Sequence, residues 1–173
     1  LYFRCGRLEE IIKLTTGWQF GSALAREERD RFAGIAYYER AVKEIDPLAK
    51  VRALKHATNY APEFLPAVIL LAQHYMETGQ SKDALKTLSR AWEREPQPAV
   101  MAMLLALLKP MTPRKQRRMA ATLAARVRKT AEAALLEAHI ANDQGRFEDA
   151  ANLLQSAITN HDRKPLYALM AEV

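Results

Sequence analysis

Apolar residues recur along most of this chain at intervals of three and four, and the runs that show this spacing are divided by Asp46-Pro47, Ala61-Pro62, Gly79, Pro96 and Pro98, Thr112-Pro113 and Gly145. Such spacing lays apolar side chains along one stripe of a helix, and Pro and Gly are the residues that end helices. Between Pro62 and Gly79 the set Leu65, Val68, Ile69, Leu71, Ala72 and Tyr75 predicts a helix of about four turns. After Gly79-Gln80, Ser81 is placed to act as an N-cap, and Ala84, Leu85, Leu88, Ala91 and Trp92 predict a second helix up to Pro96. Thr112-Pro113 opens another, with the hydroxyl as cap and proline at the first helical position, running to about Lys129. Beyond Gly145, the residues Ala150, Leu153, Leu154, Ala157 and Ile158 predict one more. No segment alternates as a half-buried strand does, so the expected fold class is all-α.

Repetition sharpens this picture. Gly79 and Gly145 stand 66 residues apart, close to twice the ~34-residue period of the tetratricopeptide repeat. From Leu71, Ala72 and Tyr75 through Gly79 to Ala84, Leu88, Ala91 and Pro96, the chain resembles one such repeat. Small residues at Ala72, Ala84 and Ala91 suit the close approach of paired helices, with Tyr75 and Leu88 filling the space around them. A later copy keeps Ala138, Ala150, Leu154 and Ala157 but has Glu137 where Leu71 stood and Asp162 where the closing proline stood. An earlier copy keeps only its second helix clearly, with Leu54 and Ala57 before Pro62, and the copy across Ala99 to Lys129 is degenerate. The expectation is a tetratricopeptide-like right-handed array of antiparallel helical hairpins, each burying its apolar face on the next. Residues 41–173 form that array, with its best repeat at 65–96 and its last at 131–162; residues 4–40 are N-terminal helices, and Leu1-Tyr2-Phe3 resembles the tail of a cleavable purification tag.

Over most of Ala41 to Val173 the chain also resembles the C-terminal part of HemY-type proteins. The residues that carry this are Ala53-Leu54-Lys55-His56-Ala57 leading into Ala61-Pro62-Glu63-Phe64, Ala91-Trp92 before Pro96-Gln97-Pro98, and the closing Tyr167-Ala168-Leu169-Met170-Ala171-Glu172-Val173. The resemblance implies a bacterial inner-membrane protein with an N-terminal anchor, of which this is a soluble domain, and a role in haem or porphyrin synthesis. Partners among haem-biosynthesis enzymes follow from the same resemblance.

Composition narrows the chemistry. With 49% hydrophobic residues and one Cys in 173 residues, the chain has enough apolar surface for a core and cannot depend on an internal disulfide. The longest uncharged apolar run, Ala99 to Leu108, is about half the ~20 residues that cross a bilayer. A formal charge of +6 is concentrated where no acidic residue occurs, between Glu95 and Glu132. Arg114, Lys115, Arg117, Arg118, Arg126 and Arg128 make a basic patch there, a weaker candidate for anionic membrane or nucleic acid across residues 109–129. The block has no interleaved aromatics for base stacking, and nucleic acid is not the expected partner.

The helical array class offers a concave groove to protein partners. Its outward positions are Ile69, Gln73, Met76 and Glu77 in the best repeat and Leu135, His139, Asn142 and Asp143 in the last, unless Ile69 and Leu135 are covered by helices of the same chain. A rival reading is a haem or porphyrin carrier, with Ile69 and Met76 holding the macrocycle and a ligand from Cys5, His56, His74, His139 or His161; no attachment motif or paired spacing favours it. No Gly-rich phosphate loop, His-Glu-x-x-His helix or Gly-x-Ser-x-Gly turn is present, and Glu9-Glu10, Glu27-Glu28 and Glu148-Asp149 are adjacent pairs that diverge on a helix. The expectation is a non-catalytic interaction scaffold with no cofactor and no metal.

Overall fold

A computed structural model describes residues 8–17, 25–127 and 130–160. Among them the chain forms helices and no strands: α1 (Leu8–Thr16), α2 (Arg26–Lys43), α3 (Pro47–Tyr60), α4 (Leu65–Glu77), α5 (Ser81–Arg94), α6 (Pro98–Leu108), α7 (Pro113–Arg126), α8 (Ala131–Asp143) and α9 (Phe147–Asn160). The fold is an all-α helical repeat array. Packing divides it into two units, Leu1–Thr87 and Leu88–Val173, with the division inside α5.

In the first unit α2 packs on both α1 and α3, and α3 on α4. The contact surfaces are built from small residues, with Ala33, Ala36, Ala57, Ala61, Ala67 and Ala72 fully buried. Gly34 marks the tightest approach. A Cβ there would fall 2.3 Å from Ala61 Cβ and 3.1 Å from the Ala57 carbonyl oxygen, so any side chain would force α2 off the end of α3. Leu8, Ile11 and Ile12 of α1 bury against Ala36 and Tyr37. The α2–α3 turn is stapled by side chains: Asp46 caps α3 through Oδ1 to the Leu48 N–H (3.3 Å) and Oδ2 to the Ala49 N–H (3.0 Å), with Pro47 at the first helical position. Both α2 and α3 are formed and packed on each other, and α2 runs through residue 40.

Both repeat glycines end their helices in the same way. Gly79 has φ +72° and Gly145 φ +71°, and a Cβ at either would meet nothing within 4 Å, so conformation and not space selects glycine. After α4 the Gln80 N–H reaches the Tyr75 carbonyl (2.7 Å) and the Gly79 N–H that of Met76 (3.2 Å); after α8 the Arg146 N–H reaches Ala141 (2.9 Å) and the Gly145 N–H Asn142 (2.9 Å). This is the Schellman closure, which satisfies the last carbonyls of a helix while reversing the chain.

In the second unit α8 packs on α6, α7 and α9. Its core includes Leu88, Trp92, Val100, Leu104, Leu108 and Leu136, all fully buried. Trp92 does more than fill space. At the end of α7 the Val127 N–H turns to the Ala124 carbonyl, one residue short of the regular ladder, and the Trp92 indole N–H donates to the Leu123 carbonyl at 3.2 Å. Two expected caps are absent. Ser81 is the first residue of α5, whose opening N–H groups at Asp83 and Ala84 go to the Gln80 carbonyl, and Thr112 makes no side-chain cap to α7. At both places a backbone carbonyl or proline already meets the need that the hydroxyl was expected to serve.

Gly34→Ala is expected to destabilise the protein by about 1–3 kcal/mol through overpacking, more than Gly79→Ala, which meets only the ~1–2 kcal/mol cost of a left-handed residue. Urea unfolding of the two variants checks the order. Trp92→Phe should cost about 1–3 kcal/mol by leaving the Leu123 carbonyl unsatisfied, and a melting temperature equal to wild type would count against that bond.

Candidate functional site

Within α4 the apolar stripe Ala67, Val68, Leu71, Ala72 and Tyr75 faces the core, which turns the intervening positions outward. Gln73 and Glu77 are exposed, and Ile69 and Met76 are half-buried beside them. Residues 69, 73, 76 and 77 follow the three-four spacing, so they share one helix face with polar groups over partly sheltered apolar ones. Such a face supplies hydrogen-bond partners at its surface and a shallow apolar floor. The corresponding positions on α8 behave differently. Asn142 and Asp143 are exposed and His139 is half-buried, but Leu135 is only 5% exposed. Leu135 is thus a core residue and not a groove position: α8 is flanked by α6, α7 and α9, which leaves it little free surface.

Glu137 occupies the place of Leu71 in the last repeat. It is half-buried, and burial raises its carboxyl above the ordinary 4.5. Nothing else contributes to that shift, so the group is an apolar position filled by an acid.

The basic patch separates into parts. Arg114, Lys115, Arg117 and Arg118 are exposed on the first turns of α7, and none of them enters an ion pair among the described residues. Arg126 does not belong with them, because its guanidinium is taken by Glu93 of α5. Arg128 lies outside the described residues, as do Cys5 and His161. Two of the other histidines make ring contacts: His56 stacks on Tyr37 at 4.8 Å, with Tyr60 on Tyr37 at 5.7 Å, and His74 meets the edge of Tyr75 at 6.4 Å. Burial, then the neighbouring Tyr60, raises the Tyr37 hydroxyl against the lowering pull of Arg40, which keeps that phenol neutral. Among the described residues no group of three His, Cys, Asp or Glu is arranged to hold a metal, and no helix is long and apolar enough to cross a membrane.

A feature that sequence patterning did not single out is a cleft of ≈ 700 Å³ in the second unit, where the end of α6, the start of α7 and the α8–α9 turn meet. Its walls include Lys109, Gln116, Gln144 and Arg146, four polar residues at the ends of different elements. Periodicity reports helix faces, and it carries no signal for side chains that converge from separate helix ends.

Comparison with known families places residues 51–108 in a match to the tetratricopeptide repeat. The match begins inside α3 and ends with the last residue of α6, enclosing the whole of α4 and α5. No curated protein matches the chain, and neither comparison connects it with HemY-type proteins. Repeats of this class commonly mediate protein–protein contact, and no enzyme family is indicated.

Replacing Glu137 with Leu is expected to raise the melting temperature at neutral pH by a few degrees. The folded state of the wild type binds the Glu137 proton more tightly than the unfolded chain does. The charged carboxylate therefore burdens folding above the raised value, and that burden lifts as pH falls through it towards 4.5. The gain from Glu137→Leu should accordingly shrink on acidification, and a gain independent of pH in melts from neutral to acid would contradict this account.

Proposed function

We propose that this chain is a non-catalytic scaffold in which the face of α4 made by Ile69, Gln73, Met76 and Glu77 holds a segment of a protein partner. The observation that carries the reading is the character of that face within the matched repeat: exposed Gln73 and Glu77 set against half-buried Ile69 and Met76. Partly sheltered apolar side chains can be desolvated by a partner at modest cost, and the two polar groups then select its orientation. His139 and Asn142 on α8 are the further candidates of this kind, each with some exposed surface, while Leu135 drops out.

The partner, in this proposal, belongs to bacterial haem or porphyrin synthesis, and the domain works beside the inner membrane as part of an anchored protein. What supports that part is the resemblance to HemY-type proteins in Ala53–Ala57, Ala61–Phe64, Ala91-Trp92 and Pro96–Pro98.

A photo-crosslinking residue in place of Gln73, incorporated in the source cell, should trap a haem-biosynthesis enzyme, and the Gln73→Arg/Glu77→Lys double variant should lower recovery of that enzyme by about tenfold. Lys82→Glu, an exposed change on α5, should leave recovery intact. Unchanged recovery from the double variant would overturn the α4 assignment. Trapping only proteins outside haem synthesis would overturn the pathway assignment alone. A saturable Soret shift on titration with haem, lost in His74→Ala or His139→Ala, would replace the scaffold by a tetrapyrrole carrier.

A further inference from the structure

The cleft in the second unit is a cationic site built on a polar framework. Gln116 donates from Nε2 to the carbonyls of Leu108 (3.3 Å) and Lys109 (3.2 Å), the last groups of α6 and its cap. Its Oε1 accepts from Gln144 Nε2 (2.9 Å), which also donates to the Pro113 carbonyl (3.1 Å). Two amides thus tie the end of α6, the first turn of α7 and the end of α8 together, and their hydrogen bonds fix the walls on which the charges stand.

Those charges are unbalanced. Lys109, Arg117 and Arg146 line the cleft against a single acid, Asp143. Lys109 and Arg117 are in no ion pair among the described residues. Arg146 uses Nη1 on Asp149 at 2.8 Å, yet its Nε is buried with no hydrogen-bond partner. With Arg146 held by Asp149, Lys109 and Arg117 are the two lining cations in no ion pair among the described residues, set against Asp143, and they favour oxygen acceptors bearing negative charge. Arg114, Lys115 and Arg118 extend the same potential over the exposed turns of α7. Phe147, next to Arg146 in the chain, stands 67% exposed.

We infer that this cleft binds an acidic segment of a protein partner, whose Asp or Glu carboxylates meet Lys109, Arg117 and Arg146 while a neighbouring apolar side chain covers Phe147. Peptide is favoured over membrane because carboxylates on flexible side chains can each reach a separate cation of the lining. The lining contains no aromatic residue on which a base could stack, and the single exposed Phe147 next to Arg146 is short of the series of stacking platforms that single-stranded nucleic acid uses. The site is independent of the α4 face and stands or falls without it.

The test is fluorescence anisotropy on the full chain with a labelled peptide of Glu-Glu-Leu repeats. Lys-Lys-Leu repeats, a single-stranded oligonucleotide and phosphatidylglycerol vesicles serve as the other arms. Saturable binding of the Glu-Glu-Leu peptide alone is expected, weakened about tenfold or more in Lys109→Glu/Arg117→Glu and less than about threefold in Arg114→Glu/Arg118→Glu. The neutral pair Lys109→Gln/Arg117→Gln should fall between wild type and Lys109→Glu/Arg117→Glu. Both cleft residues are exposed, and melting curves compare the folded state of each variant. Equal losses in the cleft and rim variants would reduce the effect to diffuse charge and overturn the site. So would absence of saturable binding, or tighter binding of vesicles or oligonucleotide with the same dependence on Lys109 and Arg117. The peptide titration and the Gln73 crosslink are separate readouts, so that failure of the α4 reading and failure of this one are read separately.

Discussion

Close approach between helices is the constraint from which much of this structure follows. An array of short helices buries little area per residue unless neighbouring backbones come near each other, and that requires side chains small enough to let them. In the first unit the requirement reaches its limit at Gly34, where even a methyl group would collide with Ala61. The buried alanines of α2, α3 and α4 are the same solution at slightly greater distance. Large residues then fill what the alanines leave, such as Tyr75 in the first unit and Trp92, Leu104 and Leu136 in the second. A chain built in this way has few places for a deep internal cavity. Its chemistry is pushed to outward helix faces and to the ends of helices, where both candidate sites are found.

The turns carry a second constraint. Reversing direction within a few residues leaves the last carbonyls of one helix to be satisfied by residues that already belong to the turn. The left-handed glycine does this twice, with matching hydrogen bonds at Gly79 and Gly145. Elsewhere the chain uses different means. Asp46 satisfies N–H groups at the start of α3, and between α6 and α7 the Gln116 side chain serves the carbonyls that a glycine turn would have served. The absence of glycine from Lys109 to Thr112 is thus linked to the polar framework of the cleft. A long side chain adds to the backbone bond from the Met111 N–H to the Leu108 carbonyl (2.8 Å), and the cleft walls are held by both.

Much of this was legible in the sequence, and for a definite reason. Helical spacing, proline punctuation and the 66-residue interval report local conformation, and local conformation dominates an array whose contacts run mainly between successive helices. α4, α5, α7 and α9 lie where periodicity placed them, and the tetratricopeptide repeat matches where the best repeat was read. What escaped depends on contacts between elements. Leu135 sits on α8 at the position equivalent to Ile69 on α4, yet one is core and the other half-buried, because α8 has three helices packed on it. Arg126 counts as a basic residue by composition, but Glu93, 33 positions earlier, takes its charge. α2 is dense in charge and weak in large apolar residues, so that its buried side is written in Ala33, Gly34, Ala36 and Ala41, which pattern reading passes over.

That contrast bears on how an array of this kind acquires binding surfaces. A residue on the outward face of a helix is constrained only by its own helix, so it can change without disturbing the core, and Gln73 and Glu77 are of this sort. A residue such as Gln116 is constrained from several directions, since it bonds α6 carbonyls and the Gln144 amide at once. Faces of the first kind suit partners that vary, because their composition can drift at low cost in stability. Clefts of the second kind suit one chemistry, because the groups that shape them also hold the helix ends together. The second unit thus couples a cleft arginine to its own packing: Arg146 lines the cleft through its side chain and completes the closure of α8 through its backbone N–H. A ligand that engages this side chain would brace the α8–α9 turn as well, so that occupancy and local stability rise together.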